Sequence, residues 1–467
     1  GLEMSFKPLE AITPIDGRYR GRVAEASNYF SEYALIKERL RVEIEFLIRI
    51  ITTCGGEMES KLPRDWRDRL LRLVEDFKLE DAERVKELEK TLGHDVKALI
   101  NYLRERLHQI GLEQLSPYIH LGLTSDDVNN LAYSLLLTRF RDEILIPDLI
   151  EMIKTIAEKA KENLETIMLG RTHGVPAVPT TFGRFLSNYA YRLARVAYEL
   201  ASFKFPGKLG GAIGDHSALK FTYPRVDWIK FSRDFVESLG LEYIPASTQI
   251  LPHDRISDFL NKVSILDAIA SNLCRDLWLL SSLGLLVFGR RVGEVHSSTM
   301  PHKSNPLHLE NAEGAFDLAS NTASFMARRL ISSRLHRDLS DSIIKRFYGL
   351  PLTLTIVGFK GLMEAFRRMI VLRDRMKDEV ERHPESLAEA YQVYLRAKGV
   401  EDAYELVQRS LGKGWGEVLK EIKDRGLPTE VVKRLEGAKP TEYVGEAIRI
   451  GSMLLDEVDR ILGEIGK

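Results

Sequence analysis

Residues 256–288, ISDFLNKVSILDAIASNLCRDLWLLSSLGLLVF, carry apolar side chains at helical spacing on more than one side. A surface helix buries one stripe, so a segment apolar on several sides has to pack on several faces, within a bundle or between subunits. Its densest run, the 13 residues LWLLSSLGLLVFG from Leu277 to Gly289, is flanked by Asp276 and Arg290. That is too short to span a bilayer, which takes about 20 apolar residues. The segments 31–51, 147–164 and 185–203 repeat the helical spacing, and no alternating strand pattern of comparable length accompanies them. The expected class is all-α with a long central helical bundle, and so much apolar helix surface makes a homo-oligomer the expected state.

Breakers divide the chain unevenly. Pro117 in LEQLSPY closes a first helical region, FPGKLGGAIGDHSALKFTYP (205–224) is a Gly-rich excursion, and Pro351 in GLPLTL falls late in the middle region. Three domains are expected, near 1–116, 117–370 and 371–467, the last made of short helices with no reactive cluster. Lys and Arg number 67 against 68 Asp and Glu. No global field therefore draws in nucleic acid or an anionic membrane, and any anion site has to be local. Two cysteines, Cys54 and Cys274, are too few for a disulfide framework and lack metal-site spacing, which points to the cytoplasm. No secretory leader is expected from the opening GLEMSFKPLE, and Gly1–Glu3 ahead of Met4 read as an appended remnant. With no HExxH, CxxC or dense carboxylate set, neither metal nor cofactor is expected.

Four polar islands interrupt the helical pattern. In TSDDVNNL, Thr124 and Asp127 have capping-box spacing; the same helix N-terminus is a ready site for a carboxylate or phosphate. In GRTHGVPAVPTT, Pro176 and Pro179 forbid helix, so His173 is placed on an extended link beside Gly174, either as a hydrogen-bonded structural residue or as a proton carrier of near-neutral pKa. In LGHDV, His94 and Asp95 are adjacent on a helix and do not share a face, which argues against a catalytic pair. The fourth island, HSSTMPHKSNP, ends on Asn305 and Pro306, an N-cap and first-turn pair, with Lys303 just before them. It reads as a surface turn or as an anion site with Ser297 and Ser298 at its far end. A serine there serves as a base only where its alkoxide is stabilised.

Taken together, TSDD, RTHG and HSSTMPHKSNP resemble the three motif regions of the fumarase/aspartase superfamily, in the same order and over nearly the whole chain. PIDGRY (14–19), STQILPHD (247–254), ENAEG (310–314) and RDLSDS (337–342) narrow the resemblance to the adenylosuccinate lyase family, in its longer form. MPHK is shared with carboxymuconate cycloisomerases, against which the retained His173 argues; argininosuccinate lyases differ in the loop and lack PIDGRY, and crystallin-like structural homologues would be expected to lose His173, Ser297 or Lys303. The resemblance implies a three-domain all-α fold and a homotetramer with shared sites. It further implies elimination of fumarate from adenylosuccinate, leaving AMP, and from SAICAR, leaving AICAR. It makes Ser297 the base and His173 the acid. Arg18, Tyr19, Arg337 and the run Ser342, Ile343, Ile344, Lys345 and Arg346 would hold the nucleotide, chiefly its phosphate. His94, Asp95, Thr124, Ser125, Gln249, Lys303, Asn305 and Asn311 would line the rest, and the Ser-rich loop would close as a lid. Two positions depart from the family pattern: His296 stands where Gly is usual, and GDHSA around His216 replaces an Asn-containing version.

Overall fold

The computed structural model describes Lys7–Lys467; Gly1–Glu3 lie outside the described residues. In chain order, the elements that bear on the site begin with the helices α1 (Glu32–Cys54), α2 (Asp95–Gln109), α3 (Ser125–Phe140) and α4 (Ile146–Glu162). Strands β1 (Ile167–Thr172) and β2 (Val175–Thr181) follow, then α5 (Phe182–Ser202), α6 (Asp254–Ser282), β3 (Leu286–Phe288) and α7 (Leu307–Ile331). The last are α8 (Ser340–Lys345), α9 (Gly349–Arg368), β4 (Met369–Val371) and α10 (Ala447–Ile465). The fold is all-α, and among the described residues strands occur only in two-stranded pairs. The backbone divides into two compact units. One holds the chain up to Asp148 with Glu199–Ala268 and Ala315–Val357; the other holds Leu149–Tyr198, Ile269–Gly314 and Gly358–Lys467.

In the first unit, α1 opens on Ser31, whose hydroxyl accepts the Ala34 N–H at 3.0 Å. The helix is apolar on several faces: Leu40, Val42, Ile44, Phe46 and Leu47 are wholly buried, and it packs along α3. Phe46 meets Phe231 and Phe235 edge-on at 6.1 Å, so its truncation to Ala is expected to cost about 3–5 kcal/mol. Packing on so many sides also takes charged positions inside, and these need partners. Arg39 donates to Asn129 Oδ1 at 2.7 Å, Arg139 donates to Glu38 at 3.1 Å, and His120 Nδ1 lies 2.5 Å from Glu43. The chain passes from α3 to α4 through a π-helical turn, Arg141–Leu145. Pro147 explains it, having no N–H to give to the regular ladder. Pro351, read as a breaker, instead enters the first turn of α9, where a missing N–H costs no bond.

In the second unit, β1 and β2 form an antiparallel hairpin and β3 pairs antiparallel with β4. The hairpin departs from expectation. The extended backbone over 170–181 was legible, but Pro176 and Pro179 have no N–H to give to a ladder and hid the pairing. Residues beyond α9 build a core of their own from Leu387, Tyr391, Leu395, Leu406, Val418, Ile422 and Leu435. Helix α10 comes close enough that a Cβ on Gly451 would stand 2.8 Å from Leu164 Cδ2. The stretch Ser340–Arg368 is apolar enough to cross a membrane by length and composition, yet 78% of its apolar window is buried, as in a core helix.

Candidate active site

The β1–β2 register pairs Thr172 with Val175, leaving His173 and Gly174 as a two-residue loop. Their φ angles of 55° and 76° are both left-handed, the pattern of a type I′ turn, whose twist matches that of the flanking strands. The turn lifts the His173 ring to an exposed tip, where it makes no hydrogen bond with any described residue.

The loop between β3 and α7 is tied at its base. Ser304 donates to the Phe288 carbonyl at 2.6 Å, and Asn305 Nδ2 donates to the His296 carbonyl at 2.6 Å. The backbone N–H of Asn305 donates to His296 Nδ1 at 3.2 Å, which fixes the neutral tautomer with its proton on Nε2, 3.5 Å from Glu294. Glu294 is gripped by Arg368, which holds its carboxyl far below the usual range. Within this frame, Ser297 Oγ accepts the Met300 N–H at 3.0 Å; Ser298, Lys303 and Asn311 are exposed. Asn305 does not cap α7 as its sequence position suggested. The helix begins at Leu307, and the amide reaches back to His296 instead.

The remaining carried-over residues lie in the first unit. Thr124 and Asp127 close the expected capping box at the start of α3, with Ser125 half-buried beside it. His94 caps α2, its Nδ1 accepting the Lys97 N–H at 3.2 Å; it stands 3.8 Å from Asp95, too far for a hydrogen-bonded pair. Asp95 takes Arg39 at 3.0 Å and Arg346 at 3.2 Å, and Arg346 also reaches Glu32 at 3.0 Å. Burial raises the cost of ionising Asp95, but Arg39 and Arg346 outweigh it and hold its carboxyl below the usual value. Arg346 and Arg20 line an open cleft of about 500 Å³. Arg18 is exposed, and the Tyr19 N–H donates to the Pro14 carbonyl at 2.8 Å. Arg337 donates to Gln249 Oε1 at 3.2 Å, and Gln249 Nε2 donates to the Ala212 carbonyl at 3.0 Å. On α8, Ser342 is half-buried, Ile343 exposed and Ile344 half-buried. Lys345 turns inward, 3.0 Å from Asp341 and 3.3 Å from Asp126.

The chain matches the family described as Lyase over residues 17–317 and that described as Adenylosuccinate lyase C-terminal over residues 333–444. It is 36% identical over 449 residues to the adenylosuccinate lyase of Escherichia coli K12, covering 95% of this chain and 98% of that protein. It is likewise 36% identical over 453 residues to the Haemophilus influenzae enzyme, covering 96% of this chain and 99% of that protein. This chain belongs to the adenylosuccinate lyase family. Solved structures add the superfamily fold alone. The 3-carboxy-cis,cis-muconate lactonizing enzyme of Pseudomonas putida aligns with TM-score 0.75 at 21% identity, over 94% of this chain and 97% of that one. The fumarate lyase of Mesorhizobium sp. BNC1 aligns with TM-score 0.73 at 18% identity, over 93% of this chain and 97% of that one.

For a member of the adenylosuccinate lyase family, the structure adds residues that sequence reading passed over. Lys208, the one lysine in the glycine-rich FPGKLGG, is buried and donates to Asp127 at 2.7 Å. Arg39 and Glu32 bracket Asp95 and Arg346. A lone basic residue inside an apolar, Gly-rich stretch was the available signal for Lys208, since a buried ammonium needs a paired carboxylate. His216 sits at φ 54°, in the left-handed region that few residues other than glycine adopt.

Proposed function

We propose that the protein eliminates fumarate from adenylosuccinate, leaving AMP, and from SAICAR, leaving AICAR. The observation that carries this is 36% identity to a named adenylosuccinate lyase along 95% of the chain. The proton to be removed lies on a carbon beside a carboxylate and is weakly acidic, so charge builds on that carboxylate before the C–N bond breaks. The leaving nitrogen then takes a proton. In this proposal Ser297 is the base. The Met300 N–H already directed at its oxygen supports developing negative charge there, and the exposed Lys303 ammonium on the same loop adds to it. His173 is the acid, its ring free at an exposed tip.

Arg346 exchanges Glu32 and Asp95 for phosphate oxygens when the nucleotide arrives, joined by Arg18, Tyr19, Arg337 and Ser342. Thr124, Ser125, Gln249 and Asn311 serve the succinyl part. The proposed assembly is a homotetramer with shared sites; Ile265, Trp278 and Leu279 exposed on α6, Leu283 just beyond it, and Leu318 and Phe325 exposed on α7 support association between subunits. The cytoplasm is its proposed location, with neither nucleic acid nor membrane as partner. The test is an ultraviolet assay of the purified protein with adenylosuccinate and then argininosuccinate. Equimolar fumarate and AMP from the first, with no turnover of the second, is the expected result; the reverse preference refutes the proposal.

A further inference from the structure

Asp126 and Asp127 follow Thr124 and Ser125 directly, and both are buried. Asp127 accepts the N–H groups of Gly210 and Gly211 at 2.9 Å each, locking the glycine-rich stretch to the start of α3. Asp126 reaches two other segments. One oxygen accepts the Leu251 N–H at 3.1 Å; the other stands 3.3 Å from Lys345 Nζ. Lys345 is also 3.0 Å from Asp341, an ion pair without hydrogen-bond alignment, and 5.4 Å above the Tyr133 ring. Burial opposes both charges. Lys345, Lys208 and His253 nevertheless hold the Asp126 carboxyl below its usual value, and Asp126 and Asp341 hold the Lys345 ammonium above its own.

Leu251 lies two residues after Gln249, and Lys345 immediately precedes Arg346. We infer that Asp126 is a positioning residue for the substrate site. Its buried carboxylate fixes the Thr124–Ser125, Gln249–Leu251 and Ser342–Arg346 segments against one another through the Leu251 N–H and Lys345. The inference rests on the proposed function, in which those three segments hold the substrate. Replacing it by an amide removes the charge that holds Lys345 and leaves the Lys345 ammonium and the Leu251 N–H a single oxygen to share, so at least one of the flanking segments is free to shift. A displacement of about 1 Å in groups that bind is enough to cost affinity.

The experiment compares Asp126→Asn, Lys345→Met and Lys345→Arg with the full-length wild type. It measures kcat and KM for adenylosuccinate, the Kd of AMP by calorimetry, thermal midpoint, and backbone hydrogen exchange without ligand. Asp126→Asn and Lys345→Met are expected to raise KM and the AMP Kd at least tenfold while kcat changes much less, and Lys345→Arg to recover most of the affinity lost in Lys345→Met. A lowered thermal midpoint with unchanged KM and Kd overturns the inference, because the pair is then structural only. If Asp126→Asn does not fold, the two lysine variants decide on the same criteria. If the wild type does not turn over adenylosuccinate, the proposed function fails and the exchange data decide alone. Faster exchange in 247–251 or 340–346 supports positioning; unchanged exchange in both segments refutes it.

Discussion

His296 and Asn305 staple the motif loop at its base: the Asn305 amide donates to the His296 carbonyl at 2.6 Å and the Asn305 N–H to His296 Nδ1 at 3.2 Å. The backbone at His296 is outside the left-handed region, so nothing in its conformation calls for the glycine the family pattern suggests. Its side chain is only 5% exposed and belongs to the staple.

His296→Gly should therefore loosen the loop. Losing the imidazole's hydrogen bonds removes on the order of 1–2 kcal/mol, which raises the open population about 5- to 30-fold. Limited proteolysis within 297–304 should quicken by that factor. Cleavage at the wild-type rate would show that the ring contributes nothing to loop closure.

Asp267 supplies a test in stability. It is buried, Thr355 donates to its Oδ1 at 2.8 Å, and its Oδ2 has no partner. Burial pushes its carboxyl well above the usual value, against the small opposing pull of that hydrogen bond. Between the unfolded value of about 3.9 and the raised folded value, the native state binds more protons than the unfolded one, so wild-type stability falls as pH rises. Below both values the penalty vanishes. Asp267→Asn should therefore gain on the wild type by about 1.4 kcal/mol per pH unit through that window and level off above it. Urea unfolding of both proteins from pH 4.5 upward checks this, and a stability difference independent of pH contradicts it.

Ser297→Ala should abolish turnover while leaving AMP affinity nearly intact, because the hydroxyl is needed chiefly in the transition state. The Met300 N–H loses its acceptor in this variant, so a small loosening of the turn is expected as well. Residual kcat above about a tenth of wild type, a change below roughly 1.4 kcal/mol, removes Ser297 from the role. Ser298→Ala should be milder, and the opposite ranking moves the base by one residue.

What the sequence made legible follows from how local each device is. The Thr124–Asp127 cap spans four residues and is written in the chain, as are the long several-sided helices. The His173 turn was half legible: the prolines announced extended backbone, whereas the pairing depends on a register that only the folded hairpin reveals. Asn305 looked like a cap because Asn before Pro usually is one, and its competing partner is a histidine nine positions back. The partners of the buried charges were out of reach. Lys345 lies 219 positions from Asp126, and Lys208 lies 81 from Asp127, separations over which no spacing rule operates.

The claim that His173 and Ser297 act as acid and base in one shared site is tested most directly by mixing subunits. His173→Ala and Ser297→Ala, each inactive alone, are dissociated together and reassembled in equal amounts. If the two residues reach a site from different chains, each site receives an intact histidine half the time and an intact serine half the time, so activity should return to about a quarter of wild type. If mass spectrometry shows mixed tetramers and no activity returns, the shared-site account is wrong.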